Sequence, residues 1–422
     1  MGAVALDVGL LRRRRDFGLL VAGQFVSNAG SFLTVVALPF QVYALTHSSL
    51  GVGLLGLAEF VPIVGLGLFG GVLADAVDRR RVVQSAELAA ALVALGLVVN
   101  ALLDAPHLWA LYVAATLNAA CVAALRPSLD ALVPRLVERD ELKAAAAIEF
   151  TGHNTAAIGG PALGGVLIAG AGLPVAYAVD ALTFVASFAL LTRVRTPPRA
   201  GGDRIEADAL SLDAVKEGLR YAGSRQELIG TYLVDMNAMF FGMPLALFPA
   251  IAAGYGGAGV LGLLYAAPAA GGIVVALTSG WTSRVHRHGR AVVYAAAAWG
   301  VAIAAFGLVD ALVPALVLLA LAGGMDAISG VFRTAMWNET IPDRLRGRLA
   351  GIELISFASG PTLGTAEAGA VAALAGVRAS IVSGGVACVA GCAVLALALP
   401  RFWLYDSRSA SEGFVGPARN HP

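Results

Sequence analysis

Two long apolar runs are joined by the stretch Gly71-Val72-Leu73-Ala74-Asp75-Ala76-Val77-Asp78-Arg79-Arg80-Arg81-Val82-Val83. The first run ends at Gly70-Gly71, an acid follows at Asp75, and three arginines precede the next run. A short charged turn between apolar runs is typical of a loop that joins two membrane-spanning helices on the side that retains positive charge.

The composition predicts a membrane protein. Hydrophobic residues make up 58% of the 422 residues and charged residues only 14%, so the chain is far more apolar than a globular domain. Apolar runs of roughly 18 residues or more can cross a hydrocarbon core about 30 Å thick. Twelve such runs occur, at residues 17–45, 50–73, 82–103, 108–133, 144–169, 174–192, 228–252, 257–281, 291–309, 312–335, 350–374 and 379–399. We therefore expect an all-α membrane protein with twelve transmembrane helices, and the length of the first run argues against a cleaved signal peptide.

Positive charge is distributed unevenly between the two sides of the predicted bundle. If the N-terminus lies inside, the cytoplasmic segments hold 26 of the 29 Lys and Arg residues, and the outer loops keep only Arg378. The positive-inside rule then predicts a cell-membrane protein with both termini in the cytoplasm. The net charge of +1 gives no indication of a nucleic-acid partner.

The two halves of the chain resemble each other. The charged loop after the second span has a less complete counterpart at residues 284–290, after the eighth span. Spans 4 and 10 carry Arg126 and Arg333, eight and nine residues before a proline. Spans 5 and 11 carry Glu149 and Glu353, each followed by Gly-Pro-x-Leu-Gly. Such repetition predicts two pseudo-symmetric six-helix bundles with the substrate path at their interface.

The domain boundaries follow from this repetition. We expect bundles at residues 1–195 and 227–405, a cytoplasmic linker at 196–226, and a disordered cytoplasmic tail at 406–422. Apolar residues recur at helical spacing over 208–222, which predicts a short amphipathic helix at the membrane surface or, alternatively, a solvated linker helix.

Residues 71–83 resemble the signature loop of the major facilitator superfamily of secondary transporters, commonly Gly-x-Leu-Ala-Asp-Arg-x-Gly-Arg-Lys-Arg-x-x. Ala76 stands where many members have Arg, and Asp78 where many have Gly. Further stretches resemble the drug and siderophore exporter branch that includes the enterobactin exporters: residues 45–54, 262–268 and 276–280. This resemblance implies a major facilitator fold that exports small molecules by alternating access.

A glycine-rich motif on the fifth span resembles part of a motif of proton-coupled antiporters. Gly160-Pro161-x-x-Gly164-Gly165 matches the core of Gly-x-x-x-Gly-Pro-x-x-Gly-Gly, although Ala156 replaces the first glycine. The resemblance implies that a proton gradient drives transport and that no cofactor is needed. No Gly-x-x-x-x-Gly-Lys-Ser/Thr occurs, so ATP is not the expected energy source. The three cysteines lack neighbouring ligands at metal-site spacing, and we expect no metal.

We predict that Gly71, Asp75, Arg79 and Arg80 form a gate on the cytoplasmic side. Asp75 can meet the N-terminus of the eleventh span, where unpaired N–H groups and the helix dipole favour an anion, and Arg79 would orient it. The alternative is a helix-end charge that sets topology.

Two charge pairs within the spans are predicted to brace the same gate. Arg126 would pair with Glu149, and Arg333 with Glu353, because charges at that depth are costly unless they are paired. Snorkelling of the arginines to lipid phosphates is the alternative.

Five acids lie inside the predicted spans and are expected to face a cavity: Glu59, Asp180, Asp235, Asp326 and Glu367. We favour Glu59 and Asp235 as acids of a proton or substrate cavity, with hydrogen-bonded structural acids as the alternative. Polar residues of the first span share one helical face and could line the path: Gln24, Ser27, Asn28 and Ser31.

These features favour a proton-coupled exporter of drugs or siderophore-like molecules, which we expect to act as a monomer with lipids, protons and a small-molecule substrate as its partners. Transport of lipid, lysolipid or another metabolite by the same fold stays open. A polytopic membrane enzyme would need a metal or nucleophile cluster at a membrane edge, and the six scattered histidines do not form one.

Overall fold

The computed structural model describes residues 7–76, 79–195, 220–342 and 346–408. Within these ranges, the side chains of residues 67–76, 127, 130–131, 346–348 and 350–358 are outside the description. The described residues form helices and no strands. Residues 196–219 and 409–422 are not described, so most of the predicted linker helix and the tail are outside the described residues.

The described residues of the first half form seven helices. They are α1 (Gly9–Arg13), α2 (Arg15–Thr46), α3 (Ser49–Ala76), α4 (Arg79–Leu102), α5 (Leu108–Leu136), α6 (Leu142–Ala171) and α7 (Leu173–Leu191). The second half contains α8 (Gln226–Phe241), α9 (Phe248–Tyr255), α10 (Ala258–Thr278), α11 (His288–Phe306), α12 (Leu312–Thr340), α13 (Arg346–Ala375), α14 (Val377–Ala398) and α15 (Pro400–Trp403).

Eleven spans among the described residues are long and apolar enough to cross a membrane. They match eleven of the twelve predicted runs, with α8 and α9 together forming one span from Gln226 to Tyr255. The twelfth predicted run, 350–374, falls on α13, which is helical over 30 residues. The prediction of an all-α membrane protein is confirmed.

One predicted span is not a single helix. The run 228–252 is divided into α8 and α9 by a break that contains Gly242, Pro244 and a 3-10 turn over Leu245–Leu247. Proline lacks the N–H that would continue the helix, and a side chain at Gly242 would collide with the Trp299 indole. A search for apolar runs does not detect such a break, because the residues on both sides of it are equally apolar.

The helices pack in a similar way within the two halves, and the contacts between the halves are symmetric. In the first half, α2 packs on α6 and α7, and α4 packs on α5 and α7; in the second half, α12 packs on α10 and α11, and α14 packs on α11. Between the halves, α3 packs on α13 and α6 packs on α10. The second long helix of each half thus meets the fifth of the other half.

Short connections make successive long helices alternate in direction. The side of the bundle that carries residues 79–81 and 284–287 is called here the basic side, and the side that carries Gly172 and Gly376 is called the opposite side. Arginines 12–15 lie on the basic side with them, so the uneven charge distribution of the sequence becomes an uneven distribution across the folded bundle.

Candidate functional site

Among the described residues, the two halves touch on the opposite side, where glycines allow backbone to meet backbone. A Cβ atom added at Gly165 of α6 would lie 2.6 Å from the Ala258 carbonyl oxygen and 3.0 Å from the Gly262 Cα atom. A Cβ atom at Gly369 of α13 would lie 2.6 Å from the Ser49 carbonyl oxygen. We call these contacts, together with Gly53 of α3 beside Gly369, the glycine seam. Small residues at membrane-helix interfaces permit such close approach.

The predicted motif on the fifth span contacts two different helices. Side chains added at Gly160 and Gly164 would meet Phe32 and Leu33 of α2, within the first half. Gly165 faces α10 instead, and the Pro161 carbonyl oxygen abuts Gly262. The motif therefore holds α6 between its own bundle and the other one.

Two adjoining cavities extend from the seam toward the basic side. The first has a volume of about 370 Å³ and is lined by α2, α4, α5, α6 and α7. The second, of about 290 Å³, is lined by both halves, because Tyr265 and Thr365 contribute to its wall beside α2, α3, α4 and α5. Ser31, Asn118 and Val122 belong to both walls, so the two cavities are neighbours.

The wall of the first cavity combines aromatic, amide and charged side chains. Phe25 and Phe150 are exposed aromatics, and the wall also contains the following polar groups: Gln24, Asn28, Ser31, Asn118, Glu87, Arg126, Glu149 and His153. Concave, partly apolar sites with a few polar groups are the usual form of small-molecule sites. Gln24 and Asn28 of α2, which were predicted to line the path, lie in this wall.

Glu87 of α4 is a wall residue that sequence reasoning missed. Its side chain is only 2% exposed and accepts hydrogen bonds from Gln24 Nε2 at 3.1 Å and from Ser27 Oγ at 3.0 Å. The sequence contains a signal for it, because Glu87 is an acid that lies five residues inside the predicted span 82–103. Gln24 and Ser27 therefore use part of their hydrogen-bonding capacity on this carboxylate.

Glu59 of α3 lies in the wall of the second cavity. It makes no hydrogen bond or ion pair within the described part of the chain. Tyr265 of the second half lies in the same wall and donates its own hydroxyl hydrogen bond to the Leu245 carbonyl oxygen at 3.3 Å. Glu59 is thus a carboxyl group between the two halves, facing a cavity rather than a basic partner.

Arg126 and Glu149 do not form the predicted pair. Both line the first cavity, but the described residues contain no ion pair between them. Arg126 projects from α5 and Glu149 from α6, and both side chains line the same cavity. The role of these two residues in bracing the gate stays a prediction.

Arg333 has partners that the sequence did not predict. Its guanidinium forms an ion pair with Asp235 through Nη1 and lies 3.6 Å from Asp326 Oδ1 through Nη2. Arg333 and Asp235 are 5% and 6% exposed, so both charges are buried. Glu353, the predicted partner, has a side chain outside the described residues. Asp235 and Asp326 were predicted to face a cavity; they pair with Arg333 and lie outside the walls of the two cavities described above.

The remaining two predicted acids have other surroundings. Asp180 of α7 is buried, accepts a short hydrogen bond from the Thr34 hydroxyl, and packs α7 against α2 beside Gly30. Glu367 is half-buried on α13 and, like Asp180, lies outside the walls of the two cavities. The five acids therefore do not share one environment, and Asp180 matches the alternative of a hydrogen-bonded structural acid.

The gate loop is described only in part. Gly71 and Asp75 have side chains outside the described residues, so the predicted contact with the start of α13 stays a prediction. Arg80 donates from Nη2 to the Thr192 carbonyl oxygen at 2.6 Å. This bond ties the start of α4 to the end of α7 in the same half. Arg79 follows the gap directly, as the first residue of α4.

Comparisons with known proteins agree with this architecture. Residues 11–419 match the family described as transmembrane secretion effector, MFS_3. The chain is 30% identical over 372 residues to the enterobactin exporter EntS of Citrobacter koseri, covering 87% of this chain and 88% of the relative. It is 31% identical over the same length to EntS of Shigella flexneri, with the same coverage of both proteins.

Solved transporters share the fold at low sequence identity. The structure of the POT family transporter PepTSo superposes with a TM-score of 0.75 at 11% identity, covering 93% of this chain and 99% of that one. A bacterial homologue of the human lysosomal transporter Spinster, in an inward-facing and unoccupied conformation, superposes with a TM-score of 0.66 at 15% identity. The match covers 99% of this chain and 100% of that one. The chain is a multi-pass membrane transporter, not an enzyme, and belongs to the transmembrane secretion effector family of the major facilitator superfamily.

Proposed function

We propose that this protein exports amphipathic, siderophore-like or drug-like small molecules across the cytoplasmic membrane by proton-coupled alternating access. The observation that carries the proposal is the arrangement of the cavities: their walls mix aromatic and amide groups, and they lie between the basic side and the glycine seam. With both termini in the cytoplasm, the arrangement is an inward-facing state in which the seam closes the outer path. Opening of the seam and closing of the basic side would release the substrate outside.

Glu59 is the proposed proton carrier. Its carboxyl group lies at the boundary of the two halves, in a cavity wall, without a described partner. A group in that place can exchange a proton with one side in each state, and acids at membrane depth are rarely placed without a function. The Asp235–Arg333–Asp326 network is a second place where protonation would change packing, because a neutral Asp235 would release Arg333.

The substrate class is proposed from two supports. The relatives are named enterobactin exporters, and the exposed Phe25 and Phe150 offer aromatic surface to a ligand in the first cavity. We further propose that a monomer in the lipid bilayer is sufficient, with no cofactor and no nucleic-acid partner.

Uptake into proteoliposomes tests the proposal. Radiolabelled enterobactin and, in parallel, ethidium would be offered to vesicles with an imposed proton gradient, which is then collapsed by a protonophore. We expect accumulation of at least one compound that disappears with the gradient. Glu59→Gln should abolish the gradient-driven accumulation and keep downhill movement, whereas Asp104→Asn, in an exposed loop on the opposite side, should behave like the wild type.

Two results would contradict the proposal. Accumulation that survives collapse of the gradient would exclude proton coupling. Gradient-driven accumulation by Glu59→Gln at the wild-type level would exclude Glu59 as the carrier.

A further inference from the structure

Arg126 and Arg333 occupy equivalent places in the two halves but have different surroundings. Each lies on the fourth long helix of its half, eight or nine residues before a proline. Arg333 is buried and is neutralised by Asp235 and Asp326. Arg126 is exposed in the wall of the first cavity and forms no hydrogen bond or ion pair within the described part of the chain.

The sequence shows why the first half lacks this neutralisation. Asp326 stands seven residues before Arg333, and Ala119 stands seven residues before Arg126. The residues of α2 that line this cavity carry no charge, and they include the neutral amides Gln24 and Asn28. Glu87 in the same wall accepts hydrogen bonds from Gln24 and Ser27, and the described residues contain no ion pair between Arg126 and Glu149.

The depth of Arg126 makes this difference informative. Arg126 lies ten residues before the end of α5 at Leu136, which corresponds to about 15 Å along the helix. An arginine within a membrane span is costly unless it meets a counter-charge or faces a water-filled cavity, and such residues commonly mark a binding site. A guanidinium is also suited to carboxylate and phosphate, because its donors match two oxygens at once.

We propose that the first cavity binds the anionic group of an amphipathic substrate at Arg126, with the aromatic body of that substrate against Phe25 and Phe150. This inference deepens the proposed export function and rests on it, because the molecule bound at Arg126 is a substrate only if the protein exports it. The chemical class is an aromatic or otherwise apolar molecule that carries a carboxylate or a phosphate. A free small molecule and an anionic lipid headgroup both satisfy that chemistry.

Equilibrium binding to the full-length protein in detergent tests the inference without transport. The probes are 2-naphthoate, its neutral methyl ester and the cation 2-naphthylmethylammonium, which share one aromatic body and differ in charge. Binding would be measured by calorimetry for the wild type, Arg126→Gln and Arg135→Gln. Arg135→Gln is the matched control, because it removes the same charge from the same helix outside the cavity wall.

We expect the wild type to bind naphthoate at least about tenfold more tightly than the ester or the cation, since a charge-assisted hydrogen bond contributes that much or more. Arg126→Gln should bring naphthoate to the affinity of the ester and leave the ester unchanged. Arg135→Gln should keep the wild-type ratio. The naphthoate affinity of Arg126→Lys should fall between that of the wild type and that of Arg126→Gln, because lysine keeps the charge and loses the two-point contact.

The source of the anion is read from competition with lipid. If added phosphatidylglycerol displaces naphthoate from the wild type and phosphatidylcholine does not, the headgroup of a lipid is an occupant of the Arg126 subsite. If neither lipid competes, the subsite takes a free anion. Both results support an anion site at Arg126.

Other results would overturn the inference. Equal affinity for the three probes, an unchanged naphthoate affinity in Arg126→Gln, or no binding of any probe to folded wild-type protein would each exclude anion recognition by Arg126. Selective naphthoate binding without transport in the proteoliposome assay would leave the inference standing and remove the export proposal. Gradient-driven transport with equal affinity for the three probes would do the reverse.

Discussion

Replacing Gly165 by alanine should force the glycine seam open. The new Cβ atom would lie 2.6 Å from the Ala258 carbonyl oxygen, whereas ordinary contact begins at 3.4 Å. It would also lie 3.0 Å from the Gly262 Cα atom. Both neighbours are backbone atoms of the other half, so neither can swing aside as a side chain would. Helices α6 and α10 must therefore separate at this level by about 0.8 Å or more.

The size of the effect follows from this overlap. Overpacking of a close contact costs about 1–3 kcal/mol. That cost is paid only by the conformation in which α6 and α10 touch here, so the equilibrium should shift toward the state with an open seam by a factor of about 5–150. If the proposed alternating access is correct, the favoured state is outward-facing.

Distances between spin labels on both sides of the molecule measure this shift. In a background without the three native cysteines, one label pair at Ala171 and Ala253 reports on the opposite side, and a second at Lys143 and Ser283 reports on the basic side. All four positions are exposed. In Gly165→Ala, we expect the first distance distribution to move to longer values and the second to shorter ones.

Gly159→Ala provides the control on the same helix. A Cβ atom at Gly159 has no neighbour within 4 Å, so this variant gains the same helix propensity as Gly165→Ala without any collision. Its distance distributions should match the wild type. If Gly165→Ala also matches the wild type while it unfolds at the same temperature, the α6–α10 contact does not close the opposite side and the reasoning fails.

Two further predictions concern stability. Arg333→Gln should destabilise the protein by about 3–5 kcal/mol, because it leaves the buried Asp235 without a partner, and Asp235→Asn added to it should restore part of that loss in the unfolding midpoint. Hydrogen bonding by the Glu138 backbone N–H and the Arg14 guanidinium lowers the pKa of Glu141 below its ordinary value of 4.5. A lowered pKa stabilises the folded state above the unfolded pKa, and the effect is lost as the pH falls through the folded pKa. The unfolding midpoint of the wild type should therefore exceed that of Glu141→Gln near neutral pH and approach it below pH 4.5, and a constant difference would contradict the assignment.

The environments of the acids show what sequence reasoning could reach. The sequence gives the depth of each acid in the membrane, because each falls within an apolar run of known length. It does not give their partners, since Asp235 contacts Arg333 across 98 positions of sequence and Asp180 contacts Thr34 across 146. Glu87 was missed although its depth was equally readable, and its hydrogen bonds to Gln24 and Ser27 depend on how α4 faces α2.

By itself, the sequence determined the membrane class, the positions of most spans, the repetition of the two halves and the family. These properties are local or additive: a bilayer of fixed thickness selects apolar runs of a certain length, and basic residues in loops are counted one by one. Only the tertiary structure decided that Arg333 is neutralised and Arg126 faces a cavity, that Glu59 lies between the halves, and that Gly165 belongs to the seam while Gly164 packs within its own bundle. The physical reason is that a side chain's partner depends on which helix faces meet, and that choice is made by the packing of all the helices together.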